Sequence, residues 1–297
     1  PILDIDPKRA TMRLVTITEN NNTRIGLLGD DGIVDLSQAD ASLPTDMIGF
    51  LKGGDDYIAK AGAVDAAAHY SLDQVKLECP IPRPPMILAI GLNYKLHAEE
   101  SGAALPKVPL VFTKQQTCAN GPFDPFHKPA ESDLLDYEGE LGIVIGKECR
   151  RVSKENAMDV IAGFTIVNDV SVRDWQSRGA PASFTMGKSW DTHGPMGPAI
   201  VTKDEVGDPH ALQLKTWVNG DLRQDSSTSD LIFNCFEIIE FITTAFTLLP
   251  GTVIPTGTPS GVASAMKPPA WLVPGDKVKI EIEKLGAIEN EVIAEPV

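Results

Sequence analysis

The sequence lacks any apolar run near the roughly 18 residues that a membrane-spanning helix needs. Its N-terminus shows no basic stretch followed by an apolar one, so no secretory signal is predicted. Cations are also scarce, because 26 Lys and Arg stand against 41 Asp and Glu and leave a net charge of −15. That charge argues against nucleic acid and anionic membranes as partners, although a local group of cations could still bind a small anion.

Cysteine is scarce as well, and its positions exclude two classes of site. The four cysteines are Cys79, Cys118, Cys149 and Cys235, and no two of them form a C-x-x-C pair. We therefore expect free thiols in a reducing cytoplasm, with neither a disulfide framework nor a zinc site. Hydrophobic residues make up 42% and charged residues 23%, an ordinary balance for a globular protein.

A proline-rich segment divides the chain. The stretch "CPIPRPP", residues 79–85, holds four prolines in seven residues and predicts a stiff, extended linker. We expect a small α/β domain over 1–78, in which 1–11 is a variable extension ahead of Met12, and a larger domain over 86–297. The small domain combines short strands with a helix that a Gly-Gly pair interrupts.

The larger domain is predicted to be mainly β with some α. One helix is expected in "SDLIFNCFEIIEFITTAF", with Asp230 as its N-cap, and "VNGDL" predicts a hairpin turn. Eight segments have the composition of strands: "MILAIGLNY", "LVFTK", "ELGIVIGK", "IAGFTIVNDV", "PAIVT", "LQLKTWVNG", "GTVIPTG" and "DKVKIEIEKLG".

Two acids stand where a buried strand begins, in "LDYEGELGIVIGK". Glu138 and Glu140 are two residues apart, so a strand points both side chains to the same face. Like charges at that spacing repel unless a cation lies between them. Asp133, Asp136 and Asp169 lie nearby in sequence or on a later strand end, and an all-oxygen set favours Mg²⁺ or Mn²⁺, with Ca²⁺ possible. The alternative is a half-exposed strand whose acids lie in water.

Four further segments carry polar side chains suited to chemistry. "NDVSVRDWQ" places Arg173 and Gln176 on one face if Ser171 opens a short helix, and "GKSWDTHGPMGP" places Lys188 in a Gly/Pro-rich loop. "GLNYKLHAEESG" holds a His-x-x-Glu pair in which the carboxylate can orient the imidazole, and "IPTGTPSGV" offers N–H groups and hydroxyls to an anion. Each also has a simpler interpretation, as surface charge, an exposed pair or an ordinary turn.

Taken in order, five segments resemble the fumarylacetoacetate hydrolase family. They are "GLNYKLHAEE", "DYEGELGIVIGK", "IVNDVSVRDWQ", "GKSWDTHGPMGP" and "PTGTPSGV", and they span most of the chain after residue 86. The resemblance is to acylpyruvate hydrolases and 2-hydroxyhepta-2,4-diene-1,7-dioate isomerases of bacterial type. It implies a mixed β-roll catalytic domain and a homodimer.

The resemblance also implies roles for individual residues. The implied metal ligands are Glu138, Glu140 and Asp169, and the implied water-activating pair, on a mobile lid, is His97 and Glu100. The implied substrate and oxyanion ligands are Arg173, Gln176 and Lys188, with Thr258 at the substrate's carboxylate end. The loop after "F-x-K" departs from many relatives, so Gln115 and Cys118 are expected near the variable end of the substrate.

These features lead to one preferred function and two alternatives. The preferred function is metal-dependent hydrolysis of a C–C bond in a 2,4-diketo acid such as an acylpyruvate or fumarylpyruvate, with an enolate stabilised by Mg²⁺ or Mn²⁺. The first alternative is an enol–keto isomerase or decarboxylase of a 2-oxo diacid such as oxaloacetate, on the same site. The second is a metal-binding protein without catalysis.

Overall fold

The computed structural model describes residues 12–179 and 182–296, so the predicted extension over 1–11 lies outside the described residues. The described residues form the strands β1 (Arg13–Glu19), β2 (Asn22–Gly29), β3 (Gly32–Asp35), β4 (Lys76–Leu77), β5 (Ile87–Gly91), β6 (Leu110–Lys114), β7 (Ala119–Asn120), β8 (Phe126–Lys128), β9 (Leu135–Asp136), β10 (Gly139–Ile145), β11 (Ile161–Asn168), β12 (Ser171–Val172), β13 (Gly194–Thr202), β14 (Gln213–Val218), β15 (Asp221–Ser227), β16 (Val253–Pro255), β17 (Lys277–Ile282) and β18 (Gly286–Ala294).

The helices are short and connect these strands. They are α1 (Leu36–Ala39), α2 (Met47–Lys52), α3 (Gly54–Gly62), α4 (Lys95–Glu100), α5 (Ala157–Val160), α6 (Arg173–Gln176), α7 (Phe184–Lys188), α8 (Lys203–Val206) and α9 (Cys235–Ala245). None of the helices in these described ranges is long and apolar enough to cross a membrane.

Two large sheets organise the chain. An eleven-stranded sheet runs in the order β3-β2-β1-β13-β11-β10-β16-β5-β6, with β4 added at β1 and β7 at β13. A five-stranded sheet runs β15-β14-β17-β18-β8, and β9 pairs with β12. Both large sheets contribute to the main hydrophobic core, which includes Ile143, Phe164 and Ile280. The prediction of a mainly β protein with some helix is confirmed.

All eight predicted strands of the larger domain are present. The hairpin between β14 and β15 turns at Asn219 and Gly220, which have φ values of 52° and 85°. Two successive residues with positive φ are what a two-residue hairpin turn matched to strand twist requires, and Asn-Gly accepts them readily.

The predicted N-cap of the long helix is wrong. Helix α9 begins at Cys235, and Asn234 is its N-cap, with a side chain that accepts hydrogen bonds from Phe236 and Glu237 N–H. The Glu237 carboxylate in turn accepts a hydrogen bond from Asn234 N–H, which completes a capping box and satisfies helix donors reciprocally. Asp230 lies four residues earlier, where its carboxylate accepts a hydrogen bond from Leu96 N–H at 3.1 Å.

The N-terminal strands extend the sheet of the larger domain. Strand β1 pairs antiparallel with β13, with Leu14 opposite Ile200. Helices α2 and α3 are separated at Gly53, where the Gly-Gly break was expected. The domain boundary at 79–85 stays a prediction. Strands from both sides of it belong to the same eleven-stranded sheet.

Candidate active site

Three acids meet where β10 begins and β11 ends. These strands are antiparallel with Gly139 opposite Asn168, which places Glu138 beside Asp169, and Asp169 N–H donates to Glu138 O at 2.9 Å. One carboxylate oxygen from each of Glu138, Glu140 and Asp169 lies within 4.8 Å of the other two. The three side chains are buried, so the alternative of acids in water is wrong for this strand.

Two predicted cations lie against this acid cluster, defined as Glu138, Glu140 and Asp169. Lys188, at the end of α7, places Nζ 2.6 Å from Glu138 Oε2 and 2.9 Å from Asp169 Oδ2. Arg173, at the start of α6, places Nη2 2.7 Å from Glu138 Oε1. Ser171 belongs to β12 instead of opening α6, and its Oγ accepts the third Lys188 hydrogen at 2.8 Å.

The sequence missed Lys114 of the site, and it gave Asp136 only as a nearby acid without its contact to Arg173. Lys114, the last residue of β6, is buried and places Nζ 2.6 Å from Asp169 Oδ1, and it also donates to the carbonyls of Lys188 and His193. Asp136 is buried and accepts from Arg173 Nε at 2.8 Å. A lysine at a strand end looks like surface charge in sequence, and Asp136 stood out only as one of several nearby acids.

The charges of the site leave room for a cation. Burial raises the pKa of Glu140, and the charges of Asp169 and Glu138 raise it further, so it lies well above its usual value. Burial also raises the pKa of Glu138, but Lys188 and Arg173 outweigh that effect and the net pKa is lowered. Burial lowers the pKa of Lys188, and the carboxylates of Asp169 and Glu138 more than offset it. The site thus combines four acids with three cations, which favours the binding of one more positive charge. The acids are the acid cluster and Asp136, and the cations are Lys114, Arg173 and Lys188.

The oxygen donors fit a hard divalent ion. Each carboxylate of the acid cluster also makes a further contact: Glu138 with Arg173, Asp169 with Lys114, and Glu140 with Gly257 N–H at 2.8 Å from its Oε2. Oxygen donors oriented in this way, without nitrogen or sulfur, are typical of Mg²⁺ and Mn²⁺ sites. The three carboxylates lie close enough together to hold a divalent ion, and their role as metal ligands stays a prediction.

The predicted His-x-x-Glu pair lies on α4 at the same pocket. His97 Nδ1 is 2.8 Å from Glu100 Oε1, and the imidazole is only 7% exposed. Glu100 also accepts from Gly261 N–H at 3.1 Å, which fixes the carboxylate. An imidazole whose Nδ1 faces a carboxylate carries its hydrogen on that nitrogen, so Nε2 is left to act as a base.

Thr258 and Gln176 line the pocket, and their side chains already form hydrogen bonds within the protein. Thr258 Oγ1 donates its hydrogen to Gly139 O at 2.9 Å and accepts from Gln224 Nε2 at 2.8 Å. The hydroxyl therefore has no second hydrogen for a substrate carboxylate, and only the main chain of Thr258 could donate. Gln176 Oε1 accepts from Arg173 Nη1 at 3.1 Å, which leaves the amide nitrogen of Gln176 for a ligand.

The pocket above the acid cluster has a volume of about 170 Å³. The lining includes both polar and apolar residues, and its members are Ile90, Gly91, Leu92, His97, Ser101, Phe112, Glu138, Glu140, Arg173, Gln176, Phe184, Lys188, Thr258 and Ser264. Gln115 and Cys118 are not among them: Cys118 is buried in a separate core cluster and Gln115 is exposed. The expected position of this loop near the variable end of a substrate stays a prediction.

Comparison with known proteins identifies a family for this chain. The model of the fumarylacetoacetate hydrolase C-terminal domain matches residues 86–293. A mitochondrial oxaloacetate tautomerase of Xenopus laevis is 42% identical over 289 residues, covering 95% of this chain and 91% of its own.

Solved structures show the same fold. Fumarylacetoacetate hydrolase from Exiguobacterium antarcticum has a TM-score of 0.85 and 34% identity, over 96% of this chain and 100% of its own. Maleylpyruvate hydrolase from Sphingobium sp. SYK-6, solved with manganese(II) and pyruvate, has a TM-score of 0.78 and 34% identity over the same shares. Similar proteins thus include both a tautomerase and hydrolases.

Proposed function

The chain belongs to the fumarylacetoacetate hydrolase family, and we propose that it interconverts the enol and keto forms of oxaloacetate or a similar small 2-oxo diacid. The observation that carries the proposal is a pocket of about 170 Å³ whose lining includes His97, Glu138 and Glu140, with Asp169 beside the two glutamates. Pockets for drug-sized ligands measure about 300–1,000 Å³, so this one suits a compact substrate. The similarity to a tautomerase named for oxaloacetate supports the same substrate.

The cations of the pocket favour an anionic substrate. Arg173, Gln176 and Lys188 line it together, and the amide nitrogen of Gln176 can donate to a carboxylate. The three hydrogens of Lys188 already contact Glu138, Asp169 and Ser171. Lys188 therefore stabilises negative charge chiefly as a fixed positive charge beside the acids, unless a ligand displaces one of these contacts.

Tautomerisation moves one proton between C3 and the C2 oxygen. We assign the proton transfer at C3 to His97, because Glu100 holds its Nδ1 and leaves Nε2 free to take or return a proton. The apolar residues Ile90, Leu92 and Phe112 also line the pocket. A Mg²⁺ or Mn²⁺ ion held by Glu138, Glu140 and Asp169 would supply positive charge that stabilises an enolate and so acidifies C3.

The test follows the enol absorbance of oxaloacetate with and without the protein, in Mg²⁺ or Mn²⁺. We expect His97→Asn to lower the rate by about 10²–10⁴-fold, the usual value of general acid–base help, while the exposed His69→Asn control keeps the rate. An enol decay that the wild-type protein does not accelerate over metal alone would refute the proposal. Pyruvate formation in the same samples would reveal decarboxylation instead.

Hydrolysis of an acylpyruvate is the second candidate, supported by the same His97–Glu100 pair at 2.8 Å. In that reaction Nε2 takes a proton from water, the hydroxide attacks the distal carbonyl, and the C–C electrons pass to the pyruvate half. Acetylpyruvate cleavage, measured with the same two variants, separates the candidates. Cleavage that is fast while oxaloacetate enol decay stays uncatalysed would favour hydrolysis.

We also propose that the protein is a homodimer, as the family resemblance implied. Light scattering coupled to size exclusion should give twice the chain mass of 31.9 kDa. A monomer mass at micromolar concentration would contradict this proposal without affecting the proposed chemistry.

A further inference from the structure

A buried glutamine from the five-stranded sheet contacts the main chain between two metal-ligating acids. Gln224 lies on β15 and is fully buried. Its Oε1 accepts from Gly139 N–H at 3.1 Å, and its Nε2 donates to Thr258 Oγ1 at 2.8 Å and to Pro259 O at 2.9 Å. Because Thr258 Oγ1 donates to Gly139 O at 2.9 Å, the contacts close a ring of hydrogen bonds around Gly139.

Glycine is required at the centre of this ring. A Cβ on Gly139 would lie 2.5 Å from Thr216 Oγ1 and 3.2 Å from Gln224 Oε1. Without a side chain at Gly139, β14 and β15 approach the main chain directly between Glu138 and Glu140. The middle residue of "EGE" thus allows the second sheet to hold the two acids.

The same glutamine also holds the segment that orients Glu140. Gly257 N–H donates to Glu140 Oε2 at 2.8 Å, and the next two residues, Thr258 and Pro259, are the ones that Gln224 contacts. Gln224 therefore fixes the peptide between the acids on one side and the donor to Glu140 on the other. Both contacts act on the geometry of the ligating oxygens.

We propose that Gln224 is a positioning residue that sets the separation of the Glu138 and Glu140 carboxylates and, through it, the affinity for the divalent ion. Gln224 is not among the residues that line the pocket, so its effect is transmitted through Gly139, Thr258 and Pro259. The inference rests on the proposed function in treating the acid cluster as the metal site. Partners that orient metal ligands typically change metal affinity or activity by about 10–100-fold when removed.

The experiment compares Gln224→Met with a matched control on another strand of the same sheet. Asn290 on β18 is also a buried amide, and it donates to Gly121 O at 3.0 Å and to Asp124 O at 2.8 Å, contacts that do not involve Gly139 or the acid cluster. Mn²⁺ is titrated into metal-free protein and followed by electron paramagnetic resonance. We expect Gln224→Met to weaken Mn²⁺ binding by about 10–100-fold, and Asn290→Leu to bind Mn²⁺ like the wild type.

Melting temperature and turnover distinguish positioning from packing. If Gln224→Met melts earlier yet binds Mn²⁺ as tightly as the wild type, Gln224 only packs the core and the inference is wrong. Should Gln224→Met fail to fold, Gln224→Asn is used, because its shorter side chain keeps the amide but cannot reach Gly139 and Pro259 together. If the wild type binds Mn²⁺ but does not act on oxaloacetate, the proposed function fails and the Mn²⁺ comparison still tests Gln224.

Discussion

Replacing Lys114 with methionine should strongly destabilise the metal-free protein. Lys114 Nζ and Asp169 Oδ1 are 2.6 Å apart, and both side chains are completely shielded from water. Removing one partner of a buried ion pair leaves an uncompensated charge and typically costs about 3–5 kcal/mol. The substitution also leaves the carbonyls of Lys188 and His193 without this donor, so we place the loss in the upper half of that range.

The chain contains a matched surface pair for the control. Lys147 Nζ and Asp55 Oδ2 are 2.7 Å apart, but their side chains are 41% and 77% exposed. Water and salt screen such a pair, so Lys147→Met should cost at most about 1 kcal/mol.

The assay is urea unfolding in EDTA, followed by tryptophan fluorescence. Two of the four tryptophans, Trp175 and Trp190, pack against each other with ring centroids 5.1 Å apart. EDTA is needed because a bound divalent ion would itself neutralise Asp169 and hide part of the loss. Equal losses for Lys114→Met and Lys147→Met would refute the argument, because only the Lys114 pair is buried and only Lys114 also donates to two main-chain carbonyls.

Three further predictions follow from the site. Glu138→Ala should abolish Mn²⁺ binding and activity while the circular dichroism spectrum stays native, and full activity of the wild type in EDTA would count against a metal mechanism. Burial lowers the pKa of His193 from 6.5 to about 3, so between pH 3 and pH 6.5 the imidazole is protonated in the unfolded chain but neutral in the folded protein. The free energy of unfolding should therefore fall as the pH drops below 6.5, by up to about 1.4 kcal/mol per pH unit. His193→Gln should make the free energy of unfolding less dependent on pH in this range. Amide exchange over 94–105, which includes α4, should slow when oxalate binds if this segment is a mobile lid; unchanged exchange would contradict a lid.

The strands of the larger domain could be predicted from sequence because their signals are local. Runs such as "ELGIVIGK" and "DKVKIEIEKLG" are rich in β-branched residues and are bounded by turn residues, and the Asn-Gly pair defines its own hairpin. The start of α9 shows the limit of this reasoning. Asp230 and Asn234 are both good caps in isolation, and only the reciprocal bond with Glu237 selects Asn234.

The candidate site could be predicted because five sequence motifs occur together in a fixed order along the chain. These motifs supplied Glu138, Glu140, Asp169, Lys188 and the His97–Glu100 pair, all of which line or adjoin one pocket. The sequence did not indicate that Glu138 and Glu140 are buried, and from the E-x-E pattern alone a solvated strand was the simpler interpretation. Burial depends on what packs over a strand, and neither hydrophobic period nor residue type reports that.

The sequence by itself determined which residues form strands, where the chain turns, and which side chains carry the chemistry. Only the tertiary structure decided how those side chains are charged and held. Lys114 contacts Asp169, Asp136 contacts Arg173, and Gln224 contacts Gly139 and Pro259, and these partners lie 35 to 85 positions away in the chain. A lysine at a strand end or a glutamine in a hairpin has no local signal for such a role, because its partner is brought near only by the tertiary fold.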